Sequence, residues 1–175
     1  MPDTILECRR ISKYFPGIKA LDEVDFKIRS GEVHALIGEN GAGKSTLVKI
    51  ITGIYQPGSG ELIMDGRAVE FRNPTASQTA GIAAIHQEAT MFPELSVTEN
   101  IYMGHHLSKK KIRFLDWKVM RAKTESLLKK LELDINPDTK VKNLSVAQRH
   151  MVEIVKALSL DARIVIMDEP TSALS

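Results

Sequence analysis

A single cysteine, Cys8, is the whole thiol content of this 175-residue chain, so neither an internal disulfide nor a cysteine-based metal cluster can form. Long apolar runs are missing too. The longest, such as Ile164-Val165-Ile166-Met167, are of strand size, far short of the ~20 residues that a membrane-spanning helix needs. The opening Met1-Pro2-Asp3-Thr4 has no basic stretch leading into an apolar one, so no secretory signal is expected. Pro2 stands where N-myristoylation requires glycine. Charge of one sign is scarce: 24 Lys+Arg against 22 Asp+Glu leave +2, too little for a dedicated nucleic-acid or membrane-surface binder. Aromatic residues make up only 5%, yet 43% hydrophobic and 26% charged residues exclude disordered and collagen-like chains. These absences predict a cytoplasmic protein with a reduced thiol, folded as one domain or slightly more.

What is present is an alternation of strand and helix patterns. Ile5, Glu7, Arg9 and Ile11 suggest one strand, and Val24-Asp25-Phe26-Lys27-Ile28 alternates as a half-buried strand should. Val33-His34-Ala35-Leu36-Ile37 is almost wholly apolar and predicts a strand covered on both faces. A helix is expected from Ser45 to Thr52, a hairpin around Asp65-Gly66, and a short helix after Asn73-Pro74. Gly81-Ile82-Ala83-Ala84-Ile85 predicts another buried strand. From Met91 to about Asn143 the pattern is helical and charged, with Trp117, Met120, Leu127, Leu128 and Leu131 at helical spacing. Met151, Ile154, Val155 and Leu158 form an apolar stripe, and Ile164–Met167 predicts a last buried strand. The run Lys109-Lys110-Lys111 reads as a solvated loop, as does the His105-His106 doublet, which has no further spaced metal ligands. The sum is an α/β fold with a largely parallel sheet. The chain stops soon after Asp168, so a fragment of a longer protein is expected.

The chemistry sits in Gly38-Glu39-Asn40-Gly41-Ala42-Gly43-Lys44-Ser45, which matches G-x-x-x-x-G-K-[ST] at every fixed position. Such a loop needs glycine so that backbone N–H groups can wrap phosphate oxygens without a Cβ in the way. The helix that follows turns its partially positive N-terminus toward the anion. Lys44 is placed to reach the β and γ phosphates, and the Ser45 hydroxyl to bind Mg²⁺. An apolar strand that delivers Asp168 at its C-terminal end suits a Mg²⁺ ligand, because ligands gather at that edge of a parallel sheet. Glu169, one residue on, could accept a proton from attacking water.

Taken in order, these segments resemble the nucleotide-binding domain of ATP-binding cassette (ABC) transporters. Gly38–Ser45 resembles the Walker A loop, Gln87 the Q-loop glutamine, Leu144-Ser145-Val146-Ala147-Gln148 the signature, Ile164–Glu169 Walker B, and Thr171-Ser172-Ala173-Leu174 the start of the D-loop. Phe15-Pro16-Gly17-Ile18-Lys19-Ala20-Leu21 and His86-Gln87-Glu88 resemble more narrowly the N-terminal cassette of bacterial importers of the ribose, xylose, arabinose and galactose type. The resemblance implies a P-loop NTPase fold: a mostly parallel sheet with an N-terminal antiparallel β subdomain and an inserted helical subdomain. Residues 1–90 would hold the β subdomain and the first part of the core, 91–150 the helical subdomain and signature, and 151–175 Walker B. The domain would be C-terminally incomplete, because the family's switch histidine follows Walker B by some tens of residues. Weak turnover would follow for this stretch alone.

By the same resemblance, Lys44, Gln87 and Glu169 are the catalytic candidates. Phe15, Gly38, Glu39, Asn40, Gly41, Ala42, Gly43, Lys44, Ser45 and Thr46 would bind ATP within one cassette. Ser145, Ala147 and Gln148 would close over ATP held by a second cassette, and Ser45, Gln87 and Asp168 would hold Mg²⁺. Phe15 aligns with the aromatic residue that stacks on adenine, with Tyr14 as the neighbouring candidate and a plain core aromatic as the alternative. The usual Leu-Ser-Gly-Gly-Gln carries Val146 and Ala147 at its glycine positions here, adding Cβ atoms where backbone approaches phosphate. The implied partners are membrane permease subunits, a sugar-binding protein outside the membrane and a second cassette, with no nucleic acid. The implied location is the cytoplasmic face of the bacterial inner membrane. Two other readings of the residues stand beside this one: a nucleic-acid clamp of ABC type, and an inactive nucleotide-binding fragment. The short stretch from Gln87 to Leu144 leaves no room for the long coiled coils of chromosome-type clamps.

Overall fold

Residues 3–85, 91–107 and 114–167 are described by the computed structural model. The apolar positions near the N-terminus become two long strands, β1 (Thr4–Phe15) and β2 (Ile18–Arg29), paired antiparallel from Thr4↔Arg29 to Phe15↔Ile18. On its other side β1 pairs with β3 (Ser59–Met64), which turns at Asp65-Gly66 into β4 (Arg67–Val69), giving the order β2-β1-β3-β4. The β2 alternation holds from Val24 to Ile28, half-buried and exposed in turn. In β1 the single face expected for Ile5, Glu7, Arg9 and Ile11 is interrupted. Leu6, Cys8 and Ile11 are the fully covered residues, and the register shifts between Cys8 and Ile11. There Arg10 takes a φ of 49° and its N–H donates to Asp25 Oδ1 at 2.8 Å. A bulge adds one residue to the strand, so the inward parity switches from even to odd.

The helix expected after the glycine loop is α1 (Lys44–Ile51), burying Leu47, Ile50 and Ile51 at helical spacing. A short α2 (Pro74–Thr79) follows Asn73, whose side chain accepts from Ala76 N at 2.9 Å. One expectation fails. Val33–Ile37 forms no strand, and Val33 and Ile37 are 102% and 89% exposed. An apolar run becomes a strand only where a neighbour supplies its hydrogen bonds, and among the described residues this run joins neither the β2-β1-β3-β4 sheet nor any other strand.

The chain divides into two units, Met1–Ala80 and Gly81–Ser175. The second contains the parallel pair β5 (Ile82–Ile85) and β6 (Ile164–Met167), in register from Ile82↔Ile164 to Ile85↔Met167. That pairing puts the residues after Ala80 with the far end of the chain. Between the two strands lie α3 (Val97–Tyr102), α4 (Trp117–Lys130) and α5 (Val146–Ser159), joined through a core that includes Val97, Ile101, Met120, Leu128, Val152 and Val155. The antiparallel sheet, the parallel pair and the inserted helices bear out the expected α/β architecture; among the described residues the parallel part is these two strands.

Two helical faces differ from the sequence pattern. On α5 the buried residues are Val152, Val155 and Ala157, while Met151, Ile154 and Leu158 are only half-buried. One residue is a rotation of about 100°, and α5 touches α3, α4 and β5 at once, so its covered face is set by three neighbours. Trp117, counted with the α4 stripe, opens the helix and stays 46% exposed. The Lys109–Lys111 run lies outside the described residues.

His105 is not the solvated loop residue expected. It is half-buried, its ring centroid lies 5.2 Å from that of Tyr102, and its Nε2 is 2.9 Å from Ser159 Oγ at the end of α5. Burial, reinforced by Lys156 and His106, holds its pKa below the ordinary 6.5, against an opposing hydrogen bond to the Met103 backbone. The imidazole is therefore neutral in the fold near pH 7. As pH falls through 6.5 the unfolded chain gains a proton that the folded one refuses, so stability drops with falling pH. Between about pH 7.5 and 5.5 the urea midpoint of the native protein should fall more steeply than that of His105→Gln. Equal slopes would remove His105 from this role.

Candidate functional site

The glycine loop closes on itself before α1 begins. Ala42 N donates to Glu39 O at 3.1 Å, and the Lys44 ammonium donates to Gly38 O at 2.6 Å and Glu39 O at 2.9 Å. Gly43 caps α1 in the left-handed region at φ 88°, and no side chain accepts from the first turn. The helical ladder starts with Leu47 N donating to Gly43 O at 2.9 Å, so the N–H groups of Lys44, Ser45 and Thr46 have no acceptor within the helix. The first turn carries no acidic residue. The result is an exposed cluster of backbone donors backed by an ammonium, which is the chemistry of a phosphate cradle.

Gly43 owes its identity to two constraints. Its φ is left-handed, and a Cβ built there would lie 2.4 Å from Ala20 O and 2.8 Å from Leu21 Cδ2 on β2. Backbone on β2 cannot yield as a side chain could, so α1 sits where only glycine fits. At Gly41 the left-handed φ of 86° is the whole constraint, since a Cβ there meets nothing within 4 Å. The Ser45 hydroxyl is exposed and makes no hydrogen bond within the described residues, which leaves its oxygen free for a cation.

Phe15 closes β1 and is half-buried against Tyr55, ring centroids 5.4 Å apart and planes at 65°. Tyr14, its neighbouring candidate, is 56% exposed, and its hydroxyl donates to Asp22 Oδ1 at 3.2 Å. Tyr55 and Lys49 belong to this aromatic corner, yet no pattern in the chain singles them out. Their only signal is position, Lys49 in the last turn of the phosphate helix and Tyr55 shortly after it.

In the second unit Ser145 caps α5 as expected. Its Oγ accepts from Gln148 N at 3.2 Å while Gln148 Oε1 accepts from Ser145 N at 3.0 Å, a reciprocal capping box. The Gln148 amide is thus engaged with the cap itself, and Val146 and Ala147 are exposed beside it. The approach to Ser145 is firmly held. Val141 N donates to Leu95 O and Lys142 N to Pro93 O, both at 3.0 Å, and Leu144 is buried. Buried Asn100 clamps the same stretch from behind, accepting from Phe92 N at 2.8 Å and donating to Ser96 O at 2.9 Å. Gln87, Asp168 and Glu169 lie outside the described residues. The paired ends Ile85 and Met167 are the last described residues before Gln87 and before the two carboxylates.

The fold and the phosphate loop define a P-loop NTPase. The sequence profile of the ABC transporter family matches residues 21–172, and with that match the chain belongs to this family as an ATP-binding cassette. It is 56% identical to the ribose import ATP-binding protein RbsA 1 of Agrobacterium fabrum, over 99% of this chain and 34% of that protein. It is 52% identical to the xylose import ATP-binding protein XylG of Thermoanaerobacter pseudethanolicus, over 100% of this chain and 35% of that protein. Among solved structures, an ATP-binding cassette of an ABC transporter in its ADP conformation matches with a TM-score of 0.85 at 31% identity, covering 99% of this chain and 71% of that one. A nucleotide-free cassette matches with a TM-score of 0.82, also at 31% identity, over 96% and 70%. The chain spans about a third of the length of the curated relatives it matches. No helix of the described residues is long and apolar enough to cross a membrane.

Proposed function

We propose that this chain binds Mg·ATP and hydrolyses it as the cassette part of a longer bacterial protein that energises monosaccharide import through a membrane permease. The observation that carries the reading is the uncapped first turn of α1 behind Gly43, with Lys44 beside it. The sugar class rests on the ribose and xylose import relatives alone.

The backbone N–H groups of Lys44, Ser45 and Thr46 hold the phosphates, and Lys44 exchanges the Gly38 and Glu39 carbonyls for phosphate oxygens. Phe15 carries the base. Ser45 fits a Mg²⁺ ligand through its free hydroxyl, with Asp168 and Gln87 as further oxygen donors; the ion would neutralise charge on the β and γ phosphates. Glu169 polarises the attacking water and accepts its proton. What supports gathering Gln87 with the two carboxylates is the parallel register of β5 and β6, whose C-terminal ends share one sheet edge. Ser145 and the exposed N-terminus of α5 serve the nucleotide of a second cassette. Little covalent work falls to the protein in such a reaction; placement and charge stabilisation dominate.

A permease, an external sugar-binding protein and a second cassette complete the proposed assembly at the cytoplasmic face of the membrane. The test is co-purification. The longer protein, tagged and extracted in mild detergent, should bring down an integral-membrane subunit in stoichiometric amount. Recovery of nucleic acid with no membrane subunit would overturn the transport reading.

A further inference from the structure

We propose that Tyr55 is a positioning residue for the nucleotide base, fixing the plane of Phe15 and its distance from the phosphate helix. The inference rests on the nucleotide reading above and lies wholly within the first unit. The Tyr55 N–H donates to Lys49 O at 3.0 Å, which anchors the residue to the last turn of α1. The opposite end of that helix carries Lys44 and Ser45. The Tyr55 ring meets Phe15 edge-on, the favourable arrangement of two aromatic quadrupoles. Two ammonium groups flank it, Lys49 Nζ at 5.4 Å and Lys13 Nζ at 6.0 Å from its centroid, and Lys13 also stands 5.6 Å from the Phe15 centroid. Lys13 in turn donates to Gln56 O at 2.7 Å, and Gly58 N donates to Ser12 O at 2.8 Å. The loop after Tyr55 is thereby stapled to the end of β1.

Tyr55 therefore joins the two subsites, by its backbone to the phosphate helix and by its ring to the base platform. A nucleotide presents base and triphosphate at a spacing limited by the ribose. A platform already held at that spacing loses little side-chain freedom when the base stacks on it, and this preorganisation appears as affinity. The edge contact needs the ring of Tyr55 and not its hydroxyl, which makes no hydrogen bond among the described residues.

The full chain is titrated with Mg·ATP and, separately, with inorganic tripolyphosphate, which fills the cradle and has no base. Tyr55→Ala should weaken ATP by about threefold to tenfold and leave tripolyphosphate unchanged. Tyr55→Phe should restore ATP binding, and Tyr55→Leu, which keeps apolar bulk should the alanine variant fail to fold, should behave as the alanine does. Adding Tyr55→Ala to Phe15→Ala should cost nothing further, because both act through one ring. Equal weakening of ATP and tripolyphosphate would show that Tyr55 only maintains the loop, and overturn the proposal. A Tyr55→Phe as weak as the alanine variant, or an unchanged ATP affinity in Tyr55→Ala while Phe15→Ala is impaired, would overturn it too. If Phe15→Ala itself binds ATP normally, the base platform falls, which is a separate failure from that of Tyr55.

Discussion

Glu169→Gln is expected to keep ATP bound while turnover falls by about 10²–10⁴-fold. The amide has nearly the shape of the carboxylate but cannot take the proton of the attacking water. The residue follows Asp168 immediately after β6, whose parallel pairing with β5 and whose anchoring at Gly81 O by Arg163 N and Ile164 N fix the strand that leads to it. The measurement is phosphate release at saturating Mg·ATP beside equilibrium nucleotide binding, in the proposed longer protein that carries a second cassette. A rate close to the native one would dismiss Glu169 as the base. A parallel loss of binding would instead mean that the carboxylate shapes the cradle.

Lys44→Ala is expected to weaken ATP binding by roughly a hundredfold, the worth of about two charge-assisted hydrogen bonds to phosphate. The ammonium is the one charged donor that the loop itself carries, and its present acceptors, Gly38 O and Glu39 O, are exposed carbonyls that water can satisfy. The unfolding midpoint should accordingly move little, and the loss should grow with the number of phosphates, being larger for ATP than for AMP. Isothermal titration of ATP and of AMP separates the two effects. An equal loss for AMP would assign Lys44 to loop stability, and an unchanged ATP affinity would remove it from the cradle altogether.

Much of this was legible in the chain because the relevant physics is local. The phosphate loop spans eight consecutive residues, its helix begins within them at Lys44, and Ser145 with Gln148 is a capping box within four. Asp65-Gly66, with φ of 49° and 75°, had to be a tight hairpin turn, and it is one. Tyr55 was invisible because its meeting with Phe15 depends on the loop after α1 folding back onto β1. The half-buried place of His105 is hidden in the sequence for a similar reason: Ser159, which meets its Nε2, comes from the far end of α5.

Spacing and residue type within short windows thus carried the α/β class, the phosphate loop and the helix cap, since each draws on hydrogen bonds among near neighbours in the chain. Partners distant in sequence settled the rest. Val33–Ile37 is almost wholly apolar yet pairs with no strand among the described residues, the covered side of α5 is turned by its three neighbours, and Gly43 is irreplaceable because Ala20 O lies where a Cβ would go. Burial and close approach belong to pairs of surfaces, and one stretch of chain specifies only its own half of each.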